Sequence, residues 1–146
     1  MNAFRPLFAA LTLTSALAAC NPAPAPASGP TFTGTWTGSE VYGAQNGVPA
    51  QSYNVKYVIS DSGGSLTGSV FFCDDGSFNC PPTPVNGTRN GNTVTLSYAS
   101  DLVGSSGTAT TTTTGSFNGS SFTGNSSYTT SSSAVFGGAA TLTRAP

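Results

Sequence analysis

The side chains of this chain that can do chemistry are few, and two kinds stand out: three cysteines and five carboxylates, with no histidine at all. The missing imidazole removes Ser-His-Asp catalysis, most zinc sites and the usual neutral-pH proton carrier. Hydrolysis by a carboxylate pair stays formally open to Glu40, Asp61, Asp74, Asp75 and Asp101. Asp74 and Asp75 are neighbours, and neighbours on an extended chain point to opposite sides. Asp74-Asp75-Gly76 with Asn79 also falls short of a complete calcium-ligand set. Those residues read as a solvated turn. No catalytic residue, no metal site and no cofactor is expected, and the chain is read as something other than an enzyme.

The cysteines divide by context. Cys20 follows a stretch with the three parts of an export signal: a positive start at Met1–Arg5, an apolar Leu7–Leu17, then small residues. The apolar part is shorter than the ~20 residues a bilayer-spanning helix needs. Leu17-Ala18-Ala19-Cys20 resembles the lipobox of bacterial lipoproteins. That resemblance implies cleavage before Cys20, diacylglycerol on its sulfur and further acylation of the new amino terminus. An ordinary secretory signal, with Cys20 a plain thiol, is the competing reading. Residues 1–19 are therefore expected to be a signal peptide. Residues 20–30 are expected to be a lipidated cysteine and a tether, holding the protein to a membrane of the cell envelope. Asn21 after the cysteine leans toward the outer membrane or cell surface. Alternating proline over Asn21–Pro30 favours extended polyproline II, and at about 3.1 Å per residue it reaches roughly 30 Å.

Cys73 and Cys80 remain, in an oxidising compartment, around a six-residue loop followed by Pro81-Pro82. They are expected to form a structural disulfide; a redox-active pair usually has the tighter Cys-x-x-Cys spacing.

These residues must be carried by a single domain over residues 31–146. Its basic side chains are Lys56, Arg89 and Arg144 alone, so no patch exists to neutralise phosphates and nucleic acid is not an expected partner. Serine, threonine, glycine and asparagine dominate, which suits an exported all-β domain rich in turns. Disorder competes only for the threonine run Thr110–Thr114. Three sequons, at Asn86, Asn118 and Asn125, are read as turn and strand residues.

A spacing of 28 organises the domain. Gly63, Gly91 and Gly119 recur at it, each in tight-turn company: Ser62-Gly63-Gly64-Ser65, Asn90-Gly91-Asn92, Asn118-Gly119-Ser120. After each turn apolar residues alternate: Leu66, Val70, Phe72; Val94, Leu96, Tyr98; Phe122, Tyr128. Period two is the strand signature, and Tyr53, Val55, Tyr57 and Ile59 show it before the first turn. Three hairpins, a strand at Phe32–Gly38 and another near Ala139–Arg144 make eight strands. An eight-stranded antiparallel up-and-down meander closes into a barrel to remove its edges; a β-sandwich is the alternative.

The two end strands resemble those of lipocalin and avidin-like small barrels. Gly34-Thr35-Trp36 matches their first-strand Gly-x-Trp, and Arg144 matches the late arginine that packs across that tryptophan in lipocalins. The resemblance implies a seam between Trp36 and Arg144. Trp36, Tyr53, Tyr57, Phe72, Tyr98, Phe122 and Tyr128 are expected to point inward, with Arg144 the one charge among them. Gly68, Gly124, Ser126 and Ala140 leave room for a cleft. A membrane-anchored envelope lipoprotein of structural or interaction role, filled by its own side chains, is the leading expectation. The alternative is a lipocalin-like barrel holding a small neutral or apolar ligand. Its partners are then the membrane, through Cys20, and either an envelope protein or such a ligand.

Overall fold

The computed structural model describes residues 29–44, 49–73, 76–101, 108–130 and 135–146. The expected signal segment, Cys20 and most of the expected tether lie outside the described residues, as do Asp74 and Asp75.

Eight strands follow one another: β1 Gly34–Tyr42, β2 Gln51–Ser62, β3 Ser65–Cys73, β4 Thr83–Asn90, β5 Thr93–Asp101, β6 Thr108–Phe117, β7 Ser121–Thr130 and β8 Val135–Arg144. Each pairs antiparallel with the next, and β1 pairs with β8 from Trp36↔Arg144 to Tyr42↔Gly138, so the sheet closes into one barrel. That seam rules out the sandwich, whose two sheets would leave β1 and β8 as edges.

The repeat explains the hairpins. β2–β3, β4–β5 and β6–β7 turn at the glycines spaced by 28, and Gly63, Gly91 and Gly119 all take positive φ there. Identical turn phase gives identical side-chain phase. Leu66, Val94 and Phe122, the first apolar residue after each turn, are each no more than 1% exposed. The threonine run forms β6, with Thr111 and Thr113 inward and buried and Thr110 and Thr114 outward.

The barrel has two unlike ends. The three hairpin turns, the start of β1 and the finish of β8 gather at one end. The finishes of β1, β3, β5 and β7 and the starts of β2, β4, β6 and β8 gather at the other. The hairpin end is sealed. Phe32 is not part of the first strand, as the sequence suggested, but precedes it and crosses the opening. Its ring stacks on Trp36 at 4.3 Å and meets Phe117 and Phe122 edge-on at 5.2 and 5.7 Å. The Trp36 Nε1–H donates to the Phe32 carbonyl at 3.0 Å. Beside the plug, Asp61 accepts from Arg89 Nε at 2.5 Å, from the Phe32 amide at 3.0 Å and from the Gly64 amide at 2.9 Å.

β1 runs four residues beyond the expected Gly38, to Tyr42, and β8 begins at Val135 rather than near Ala139. The β1 extension pairs with Gly138–Thr141 of β8, whereas Val135–Gly137 of β8 pair with Ser127–Thr129 of β7. The room expected above Gly124 is taken by the Phe122 ring, whose Cζ would lie 2.9 Å from a Cβ built there.

Candidate functional site

The extension of β1 decides the chemistry of the interior. With Trp36 inward, period two also turns Glu40 and Tyr42 inward. Glu40 is completely buried. Its Oε1 accepts from the Tyr57 hydroxyl at 2.5 Å and Thr113 Oγ1 at 3.4 Å. Its Oε2 accepts from the Tyr42 hydroxyl at 2.7 Å and the Tyr98 hydroxyl at 3.2 Å. Thr113 Oγ1 also exchanges a hydrogen bond with Ser126 Oγ at 2.9 Å. Strands β1, β2, β5, β6 and β7 thus converge on one carboxyl group. The expectation that Arg144 would be the only inward charge is wrong: Glu40, and at the sealed end Asp61 and Arg89, point inward too.

An ionised carboxylate can only accept hydrogen bonds, and four hydroxyls supply them. The phenols are held in the donating form. Burial, then the electrostatics of Tyr98 and Glu40, push the Tyr57 and Tyr42 hydroxyls well above their ordinary range. Burial followed by Glu40 does the same to Tyr98. Hydrogen bonds to a charged group contribute about 1.5–3 kcal/mol each, set against a desolvation cost of several kcal/mol.

Among the described residues no basic side chain shares that work. Lys56 lies on the outer wall, its Nζ 4.1 Å from the Phe71 ring centroid and 5.3 Å from that of Phe78. Arg89 pairs with Asp61, their side chains 2% and 0% exposed. Arg144 belongs to the sealed end. The ion pair there also sets the acidity of Asp61. Burial alone would raise it, but the Arg89 hydrogen bond and the Phe32 and Gly64 amides outweigh burial and hold the carboxyl below the usual carboxylate range.

Beyond Glu40, toward the end opposite the sealed one, lie four aromatic rings, each half-buried: Tyr42, Tyr53, Phe72 and Tyr128. Tyr42 meets Tyr53 at 6.1 Å and Tyr128 at 6.3 Å, both edge-on, and Tyr53 lies tilted against Phe72 at 4.6 Å. The Tyr53 hydroxyl donates to the Gln51 side-chain oxygen. Burial, then Tyr53, raises the Tyr128 phenol. All four rings come from the inward rows of β1, β2, β3 and β7.

Of the residues singled out in the sequence, Trp36 and Arg144 are brought together. They are register partners across β1 and β8, with the guanidinium carbon 5.5 Å from the indole centroid. Gly34, at φ +139, makes the room: a Cβ there would sit 2.9 Å from Arg144 Nε. Arg144 also donates to the Thr33 carbonyl and, at 3.5 Å, to that of Gly119. Cys20 lies outside the described residues. Cys73 ends β3 and Cys80 precedes β4, but the Cys73 side chain is outside the described set.

Glu40 and Asp61 make no catalytic pair. Tyr53 stands opposite Glu40 on β2, and Asp61 is eight residues further along that strand, roughly 25 Å at strand rise. Paired carboxylates of glycosidases stand about 5–9.5 Å apart. Among the described residues no three His, Cys, Asp or Glu side chains group as metal ligands. On the outer wall, a depression of about 590 Å³ lined by Thr37, Ser39, Asn54, Phe78 and Thr141 is open to solvent and contains no titratable group.

Sequence reasoning missed Glu40 because a lone glutamate past a glycine reads as the end of a strand. The signal was its spacing, four residues from Trp36 and two from Tyr42. No protein-family model, curated protein or solved structure matches the chain.

Proposed function

We propose that this is a lipid-anchored protein of the cell envelope that works by recognition at the end opposite the sealed one, with no catalysis of its own. One observation carries the reading. The described chain enters at Gly29 and leaves at Pro146 on the sealed end, while the half-buried aromatic rim lies at the opposite end. A tether from Cys20 therefore holds the sealed end toward the bilayer and turns the rim outward. Below the rim, Trp36, Tyr57, Leu96, Phe122 and Leu142 fill the interior and are fully buried, so contact with anything else is made at the rim.

A second reading, a small-ligand binder, has its own support in the aromatic rings over Glu40. The sequence pointed to a neutral ligand, but a buried carboxylate favours a positive one.

Photoreactive residues at Ala44 and Ala50, beside the rim, and at Asn90 and Asn118, in the hairpin turns, separate the two ends in the intact envelope. Adducts should form from the first pair and not the second. Equal labelling, or labelling from the turns alone, overturns the proposal. In parallel, Cys20→Ser should abolish cleavage before residue 20 and release the protein from membranes; a correctly processed variant fractionating like the parent would refute the anchor.

A further inference from the structure

We infer that Tyr57 is a redox-active tyrosine with Glu40 as its proton acceptor, storing one oxidising equivalent inside the barrel as a neutral phenoxyl radical. The oxidant is a one-electron oxidising radical in solution, of the carbonate or peroxyl kind, which gains an electron and becomes its anion. The Tyr57 O–H bond breaks. Its electron goes to the oxidant, its proton forms an O–H bond on Glu40 Oε1, and the phenoxyl oxygen and ring keep the unpaired electron. This goes beyond recognition at the rim and stands whether or not that reading holds.

Three observations lead there. The first is the proton path. A phenol that loses an electron becomes a strong acid, so it is oxidised most easily where a base already holds its hydroxyl proton. Tyr57 donates to Glu40 Oε1 at 2.5 Å, and both residues are fully buried. Burial, then the charges of Tyr98 and Glu40, holds the phenol protonated, so the proton leaves only with the electron. The second is the charge. Among the described residues the basic side chains are Lys56, Arg89 and Arg144, and each is engaged away from Glu40. At rest the carboxylate and its phenols carry one negative charge in a low-dielectric interior. After oxidation they are a carboxylic acid beside a neutral phenoxyl and carry none. Burial therefore favours the oxidised pair. The third is the poverty of the alternatives. Trp36, the single tryptophan, is the cross-strand partner of Tyr57. The Arg144 guanidinium, 5.5 Å from the indole, opposes a positive ring, and the indole N–H donates to the Phe32 carbonyl, which is no base. Tyr53 donates to the amide oxygen of Gln51, which is no base either. An electron vacancy made on Trp36 or at the rim therefore runs downhill to Tyr57. The steps are short: the Tyr53 and Tyr128 rings lie 6.1 and 6.3 Å from that of Tyr42, which shares Glu40 with Tyr57. Tyr42 and Tyr98 donate to the same carboxylate at 2.7 and 3.2 Å. One carboxylate takes one proton, so the cluster holds one equivalent, and it rests where the hydrogen bond is shortest.

The test uses the full-length protein in a non-ionic detergent, oxidised by azide radicals made by pulse radiolysis. Transient absorption follows the indolyl and phenoxyl radicals, and freeze-quenched samples are read by electron paramagnetic resonance. In the parent protein the indolyl signal should give way to a phenoxyl signal at a rate independent of protein concentration. Glu40→Gln keeps the size of the side chain but removes the base, and should slow that conversion at least about tenfold. The phenoxyl spectrum depends on how the ring is turned about its Cβ, so it distinguishes one tyrosine from another. Tyr57→Phe should abolish the parent spectrum, while Tyr42→Phe and Tyr98→Phe preserve it, with circular dichroism checking that each variant keeps the barrel. A measurement on the parent protein alone needs no substitution: after exchange into deuterated water, the phenoxyl should couple to a deuteron donated by the Glu40 carboxyl. A parent spectrum that survives in folded Tyr57→Phe, conversion as fast in Glu40→Gln as in the parent, or a phenoxyl without that deuteron overturns the inference.

Discussion

Each end of this barrel buries a carboxylate, and the two are handled differently. At the sealed end Asp61 has a guanidinium and two backbone amides. Toward the other end Glu40 has hydroxyls and, among the described residues, no cation. Asp61 ties together pieces that must stay closed: the Phe32 plug, the first hairpin turn and, through Arg89, the second. Glu40 gathers phenols whose rings continue into the rim. A carboxylate paired by an arginine is electrically finished and belongs to the architecture. One solvated only by hydroxyls leaves its charge available to something else.

The comparison breaks most readily at Asp61. Asp61→Ala leaves Arg89 buried without its partner and orphans two amides, and should cost about 3–5 kcal/mol. The urea midpoint measures it, and a loss below about 1 kcal/mol would mean that the ion pair does not hold the sealed end. The same group sets an acid limit. Its carboxyl is held below the usual carboxylate range in the folded state, so the unfolded chain binds the proton more readily. The stabilisation is complete above the ordinary carboxylate range and is lost as pH falls through the lowered folded value. The acid slope of the stability curve should shrink in Asp61→Asn.

Next in size is the proposed Cys73–Cys80 bridge. Replacing both by serine should lower stability by about 2–3 kcal/mol without unfolding the barrel, since the loop it closes is short. A thiol reagent that modifies either residue in denatured, unreduced protein would contradict the bridge.

The seam comes third. Arg144→Leu should cost about 0.5–2 kcal/mol and shift the emission of the single tryptophan, Trp36, which loses the cation at its face. An unchanged spectrum would place the guanidinium away from the indole.

The smallest effect on stability is expected at Glu40, and it sharpens the contrast. Glu40→Gln removes a buried charge that has no ionic partner among the described residues; the amide oxygen can still accept from the hydroxyls on one side, and its nitrogen can donate to those on the other once they turn. The change should fall within about 1 kcal/mol of zero, in either direction. A loss as large as that of Asp61→Ala would show both carboxylates to be equally architectural.

Much of the fold was legible along the chain, because its determinants are local. Gly63, Gly91 and Gly119 announce tight turns by conformational freedom alone, and alternation around them sets which residues point inward. Trp36 and Arg144 could be named as partners because closing a meander brings its end strands together. Glu40 was not legible as the centre of the interior. Its strand was judged to stop at Gly38, and a glutamate is expected in water unless something nearby justifies burying it. Asp61 and Arg89 hid for a similar reason: both flank hairpin turns, where charges usually face solvent.

The sequence by itself determined the number of strands, their turns and their inward rows, since each depends on a few neighbouring residues and on the period of an extended chain. Only the closed barrel decided what those rows meet. The hydroxyls of Tyr57, Tyr98 and Thr113 are separated from Glu40 by 17, 58 and 73 residues. They reach one carboxyl group because β1, pairing with both β2 and β8, curls the sheet until opposite walls are a hydrogen bond apart. Until that closure, Glu40 is one acid among five; after it, the same residue is a buried charge ringed by phenols.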